Sequence, residues 1–372
     1  MAIVQWGGGA NSSSQIYHYF VKFEGNTSSR ILVTFGAINK LPGMGRSLVF
    51  IFLFLFLNTG ILIAQSRWDS SYVEEDPEVM VLRTYLSQKY TGLYFPKEDL
   101  RYLPNRGVNL GFGFTYQNFT LNAAIPFLFL NKKIEPEYPR FFDFQGHIYP
   151  KNWVIDFFWQ DYKGYRVPGG IEGGQNYIRP DLEVFKAGVH VDYIVKGDKI
   201  SLPAAVLQSA IQKKSALSPL VGFEFYRGQV AADSLIFPKQ LAPKNNFKKV
   251  DFLHLGPNAG LVGTLVLGKG FYASGTFTGN LALESTWNST SSKGNWYLSW
   301  GYHARAYLGY NGPRFGVNVN YVYKTLALQP VENWTQEVQT GNYRLVLVYK
   351  IRPSQKFATT FSRYNPARIF LK

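Results

Sequence analysis

From about residue 80 to residue 353 the chain alternates apolar and polar residues with period two, and this constrains its fold more than any other feature. In NWVIDFFWQDY, Trp153, Ile155, Phe157 and Trp159 share one face, opposite Val154, Asp156, Phe158, Gln160 and Tyr162. EVFKAGVHVDYIV sets Phe185, Ala187, Val189, Val191 and Tyr193 against Lys186, Gly188, His190 and Asp192. RFGVNVNYVYK, NYRLVLVYK and WYLSWGYHARAYLGY repeat the scheme, the last with His303 and Arg305 opposite Trp300, Tyr302 and Ala304. Many of these runs cover about ten residues, longer than an average strand and suited to a tilted strand crossing a bilayer. Aromatic residues gather near their ends, as in Trp153 with Trp159, Trp296 with Tyr310, and Phe315 with Tyr323. Such rings are half wet at a membrane interface.

In hydrocarbon every backbone N–H and C=O needs an internal partner, which only helices and closed barrels supply. The reading is therefore an all-β, antiparallel transmembrane β-barrel of the outer-membrane type, spanning 79–353, with about 12–14 strands at about ten residues per crossing. The competing fold is a secreted soluble barrel with the same alternation turned inside out, holding a ligand within.

Connections carry a second regularity. Short turns are predicted at 117–118, 150–152, 196–198, 268–270 and 311–313, and longer loops at 127–140, 163–181, 284–294 and 325–340. Short turns facing the periplasm and long loops facing outward are the pattern of an outer-membrane barrel. Strict alternation needs one further short strand, placed at Ser234 to Phe237.

Ahead of the barrel, MGRSLVFIFLFLFLNTGILIAQS has the parts of an export signal: Met44, Arg46, an apolar core from Leu48 to Leu57, and Ala64 as cleavage residue. Residues 44–64 are read as a signal peptide and 1–43 as a mis-called leader. Residues 65–78 form a periplasmic lead-in and 354–372 a basic C-terminal tail. With no cysteine, disulfides, thiolate metal sites and cysteine catalysis are excluded. The net charge of +15 is scattered rather than blocked, which argues against nucleic acid and for anionic lipid head groups or polysaccharide, between which charge alone does not choose.

The stretches TYLSQKYTGLYF (84–95), LPNRGVNLGFGFTYQNFTL (103–121), HIYPKNWVIDFFWQDYKGYR (147–166), YIRPDLEVFKAGVHVDYI (177–194), QKKSA (212–216) and GFEFYRG (222–228) carry a resemblance. In their order and spacing the chain resembles an uncharacterised family of exported proteins from Bacteroidota-type bacteria, catalogued as a domain of unknown function. The resemblance covers about residues 70–350 and implies an outer-membrane β-barrel. It implies no activity, catalytic residue or cofactor.

If the apolar face looks outward, the lumen holds Asp143, His147, Asp156, Lys186, His190, Asp192, Glu224, His303, Arg305 and Arg344. Both charge signs are present in similar number, so a cross-braced polar network is the first reading. A selective path or an enclosed ligand site is the functional one. A lipid-modifying enzyme would draw on His147, His190 or His303 with Asp156, Asp192 or Ser299. No motif marks a nucleophile or a metal site, so neither catalytic nor metal-binding residues are assigned. Lys213 and Lys214 are candidates for contact with a loop or with lipopolysaccharide phosphate. The expected role is a non-enzymatic pore, ligand-binding or structural component of a Gram-negative outer membrane. Its expected partners are outer-membrane lipid, lipopolysaccharide and the outer-membrane assembly machinery, with the ligand unnamed.

Overall fold

A computed structural model of the chain describes residues 18–21, 31–34 and 68–365, except 105–106, 118, 128, 131–139, 150–151, 172, 239–240, 242–246, 289–294 and 332–333. The signal at 44–64 and tail residues 366–372 lie outside the described residues. The chain divides into two units, one of Met1–Ile63 with Arg368–Lys372 and one of Ala64–Ala367. In the first, β1 (His18–Val21) and β2 (Ile31–Thr34) pair as an antiparallel hairpin.

The second unit is a closed antiparallel barrel. Its N-terminal strands are β3 (Val73–Glu75), β4 (Met80–Phe95), β5 (Leu100–Pro104), β6 (Asn109–Tyr116), β7 (Phe119–Pro126), β8 (Arg140–Ile148), β9 (Trp153–Val167) and β10 (Tyr177–Ile194). Helix α1 (Leu202–Val206), β11 (Ala210–Gln212), β12 (Ala216–Ala231) and β13 (Lys249–Gly268) follow. Then come β14 (Phe271–Asn288), β15 (Asn295–Asn311), β16 (Phe315–Val331), β17 (Trp334–Ile351) and α2 (Gln355–Tyr364).

Around the wall the order is β17-β16-β15-β14-β13-β12-β10-β9-β5-β4, and β17 pairs back onto β4 from Glu337↔Tyr94 to Ile351↔Met80. Ten strands therefore close the ring, fewer than the 12–14 predicted. Two more, β7 and β8, stand only at the end carrying the short turns, where β6 takes the place of β5 beside β4. The reason is length: β8 ends at Arg140↔Lys163, and just above it β5 meets β9 at Pro104↔Tyr165. β7 pairs only with β6 and β8 only with β9 among the described residues.

The long strands run 15 to 20 residues, beyond one membrane crossing, because they continue past the apolar band. On β10 the outer face is apolar from Tyr193 to Phe185 and becomes charged at Glu183, beside Lys163 of β9. On β12 the same change comes at Arg227 and on β13 at Asp251, which accepts from Gln229 at 2.6 Å. Aromatic pairs mark the turn end of the band: Trp153 with Tyr193, Phe271 with Tyr310, and Phe315 with Tyr349.

The strand extension also shortens the predicted loop 163–181 to 168–176 and absorbs most of 325–340. β9 runs to Val167 and β10 starts at Tyr177, and β16 and β17 pair through most of 325–340. There Leu326, Leu328 and Val338 face inward and join an apolar cluster with Phe95, Tyr102, Tyr226 and Phe252, which favours strand over loop. The predicted strand at Ser234–Phe237 is irregular instead. Arg179 captures the carbonyls of Leu235 (2.9 Å) and Ile236 (2.8 Å), and Tyr102 donates to the Ile236 carbonyl at 2.6 Å. Ile236 and Phe237 drop into the apolar cluster and fill the loop end of the lumen.

Nor is 196–198 a simple turn. Residues 195–215 fold back as α1 and β11 and close the turn end. Ser201 caps α1 by accepting from Ala204 N at 3.2 Å. Gln208 donates to Tyr272 Oη (3.1 Å) and the Tyr310 carbonyl (3.0 Å), and Tyr272 donates to the Ala205 carbonyl (2.8 Å). The lead-in docks on this plug: β3 pairs with β11, and Trp68 packs with Val73, Ala204 and Ala210. At the far C-terminus, α2 lays Phe357 and Phe361 against Tyr116, and Phe361 also meets Phe114 and Phe119, on the β6–β7 hairpin.

Candidate functional site

Between the two closures lies a buried ionic lattice. Each wall strand offers alternate residues inward, so facing strands bring charges from distant sequence positions together. Glu224 of β12 is its centre. Its Oε2 meets His190 Nδ1 at 2.9 Å and accepts from Lys324, while Oε1 meets His254 Nε2 at 3.0 Å and accepts from Asn280. The other nitrogen of His190, Nε2, lies 2.8 Å from Asp192 Oδ2. Carboxylates only accept, so both contacts are hydrogen bonds only when both ring nitrogens carry protons. With its amide turned so that the nitrogen faces the carboxylate, Asn258 donates to Asp192 Oδ1 at 2.8 Å.

A second carboxylate, Asp156 of β9, binds the Arg305 guanidinium and meets His147 Nδ1 at 2.6 Å. Arg305 Nε also donates to His303 Nε2 at 3.3 Å, and the His303 ring stands edge-on to His190 with centroids 5.0 Å apart. Asp156, His190, Glu224 and His254 are almost wholly buried, whereas the His147 side chain is 39% exposed. Lys324 lies 4.3 Å above the Tyr226 ring, and Lys186 reaches Thr340 Oγ1 at 2.5 Å. Asp143 accepts from Tyr162, Gln160 (3.4 Å) and Lys89 (3.4 Å).

All ten lumen residues expected from the alternation lie on inward-facing positions. The structure joins six of them, Asp156, His190, Asp192, Glu224, His303 and Arg305, into one cluster with His147 at its edge. Asp143 and Lys186 sit in side branches, and Arg344 stands apart with its guanidinium 4.7 Å from the Tyr85 ring centroid. Sequence reasoning missed His254, Asn280, Glu284 and Lys324. Extending the period-two pattern along 249–288 and one step past Asn320 and Val322 finds all four. Lys213 and Lys214, the candidates for contact with a loop or with lipopolysaccharide phosphate, fall at the turn end, against Glu74 and Tyr72 of the lead-in.

Candidate ligand atoms of Asp156, His190 and His303 lie within 4.8 Å of one another. The donor set does not fit a metal ion, because Arg305 already bonds both Asp156 and His303. Both His190 nitrogens, in turn, face carboxylates. The same engagement leaves His190 no lone pair to act as a base, and Ser299 donates to the Ala327 carbonyl rather than to a histidine.

Among solved structures, the chain is similar to the outer-membrane protease OmpT from Escherichia coli, with 11% identity, 79% of this chain and 100% of that one covered, and TM-score 0.33. It is also similar to outer-membrane expressed OmpT of Vibrio cholerae (8% identity, 78% and 100% covered, TM-score 0.28). A third is the COG4313 outer membrane channel from Pseudomonas putida F1 (8% identity, 77% and 100% covered, TM-score 0.26). No curated protein matches the chain. The match to a protein family runs over residues 67–351, from the lead-in through the closing strand, and by it the chain belongs to the family described as a domain of unknown function, DUF4421.

Proposed function

We propose that the protein is a sealed, non-enzymatic β-barrel of a Gram-negative outer membrane, a structural component of the envelope rather than an open pore. The carrying observation is that the lumen is filled at three levels. An apolar cluster including Ile236 and Phe237 fills the loop end, the Glu224–Asp156 lattice fills the middle, and α1 with Gln208 fills the turn end. The apolar outer band and its aromatic rims support a bilayer as the surrounding solvent. In this reading the lead-in and α1 face the periplasm and the long loops face lipopolysaccharide, with insertion by the outer-membrane assembly machinery. Lys213 and Lys214 then bind the lead-in.

Planar-bilayer recording of the refolded chain tests this. Intact protein should give no steady conductance, while a variant with residues 201–212 replaced by a short Gly/Ser linker should give discrete openings. Ohmic conductance from intact protein, with the plug in place, would overturn the sealed reading.

A further inference from the structure

Two lumen arginines stand outside the lattice. Arg83 of β4 is 6% exposed, and its guanidinium finds only neutral acceptors: the Leu207 carbonyl and Asn122 Oδ1, each at 3.3 Å. Arg344 of β17 lies over Tyr85, and its Nε is buried without a hydrogen-bond partner. Among the described residues neither pairs with a carboxylate, whereas Arg305, Lys324, Lys89 and Arg179 each do. The two lie on the neighbouring strands β4 and β17 on either side of Tyr85, in the register Arg83↔Val348, Tyr85↔Val346, Ser87↔Arg344. Buried charge left unneutralised is costly, so this place calls for an anion.

Beside them, among the described residues, β7 and β8 leave their second edges unpaired, and from Leu121 to Pro126 β7 is exposed on both faces. Asn122, the Arg83 partner, is one of these exposed residues, and Tyr85 donates to the Ala123 carbonyl at 3.2 Å. Glycines clear the inner face of β6. A Cβ at Gly111 would lie 2.1 Å from the Tyr85 ring, and one at Gly113 would lie 2.1 Å from Asn122 Oδ1. Outside, the borders are apolar and exposed: Leu121 and Ile125 on β7, Phe142 and Phe144 on β8. An occupant must therefore be anionic within and hydrocarbon without.

We propose that Arg83 and Arg344 form a binding site for the phosphate group of a phospholipid, which enters sideways between β7 and β8 and leaves its acyl chains in the bilayer. Guanidinium forks suit phosphate oxygens, and the bond replaces contacts to neutral acceptors with charge-assisted ones.

The test uses the full chain refolded without lipid in a phosphate-free detergent, followed by native mass spectrometry. Phosphatidylglycerol in mixed micelles should bind one to one, diacylglycerol with the same chains should not, and inorganic phosphate should bind far more weakly. Arg83→Gln with Arg344→Gln should weaken phosphatidylglycerol binding by about tenfold or more, from the worth of charged hydrogen bonds. Arg344→Met alone should also weaken it, and this variant removes no hydrogen bond to the described residues. Unboiled gel mobility reports whether each variant still forms the barrel. Equal lipid affinity in the native chain and Arg344→Met overturns the site. Inorganic phosphate binding as tightly as phosphatidylglycerol overturns the lipid as its source.

Discussion

Glu224→Leu should lower the temperature at which the compact unboiled band is lost more than any other single lumen substitution. Glu224 accepts from or faces His190, His254, Lys324 and Asn280, and its removal strands like charges in a closed space. Breaking one side of a buried ionic group costs about 3–5 kcal/mol. Glu224→Gln keeps the shape and a hydrogen-bonding oxygen but loses the charge, so its effect should be smaller. Heating the detergent-folded protein in steps before an unboiled gel gives the comparison. A Glu224→Leu protein with the native transition would show that the lattice does not brace the wall.

The second large effect is at the other carboxylate. Asp156→Leu leaves Arg305 buried beside His303 with its counter-ion gone, and should cost about 3 kcal/mol or more. Asp156→Leu combined with Arg305→Leu should recover much of that loss, because no unpaired charge remains. Urea unfolding from lipid vesicles measures the four corners of this cycle. The expected coupling is about 1–3 kcal/mol. Additive losses would mean that the two side chains stabilise the barrel independently.

How far the sequence led depends on the kind of information needed. Alternation was enough to put His190 and Asp192 on one inward face, since period two is a property of the strand itself. It did not pair them onward. The His190–Glu224 contact follows from a register that sets these residues directly opposite, and Lys324 meets Glu224 across the lumen, a matter of barrel diameter. Glu284 and Lys324 were lost at the borders of predicted loops, because the strands keep hydrogen bonding beyond the membrane band. α1 is five residues long and shows no helical period, so only the turn at 196–198 ahead of it was predicted. The tail helix carried a real signal, Phe357, Phe361 and Tyr364 at helical spacing, hidden by attention to its basic residues.

Ten strands at the loop end and twelve at the turn end also give the wall a taper. Neighbouring strands are spaced by about 4.8 Å, so two more add about 10 Å of girth. β8 accompanies β9 as far as Lys163, where the outer face turns charged, so the wider girth spans the apolar band and the narrowing falls beyond it. The barrel therefore presents both leaflets with the same circumference and imposes no curvature on them. At equal lipid composition, the protein should partition evenly between small vesicles and flat bilayers.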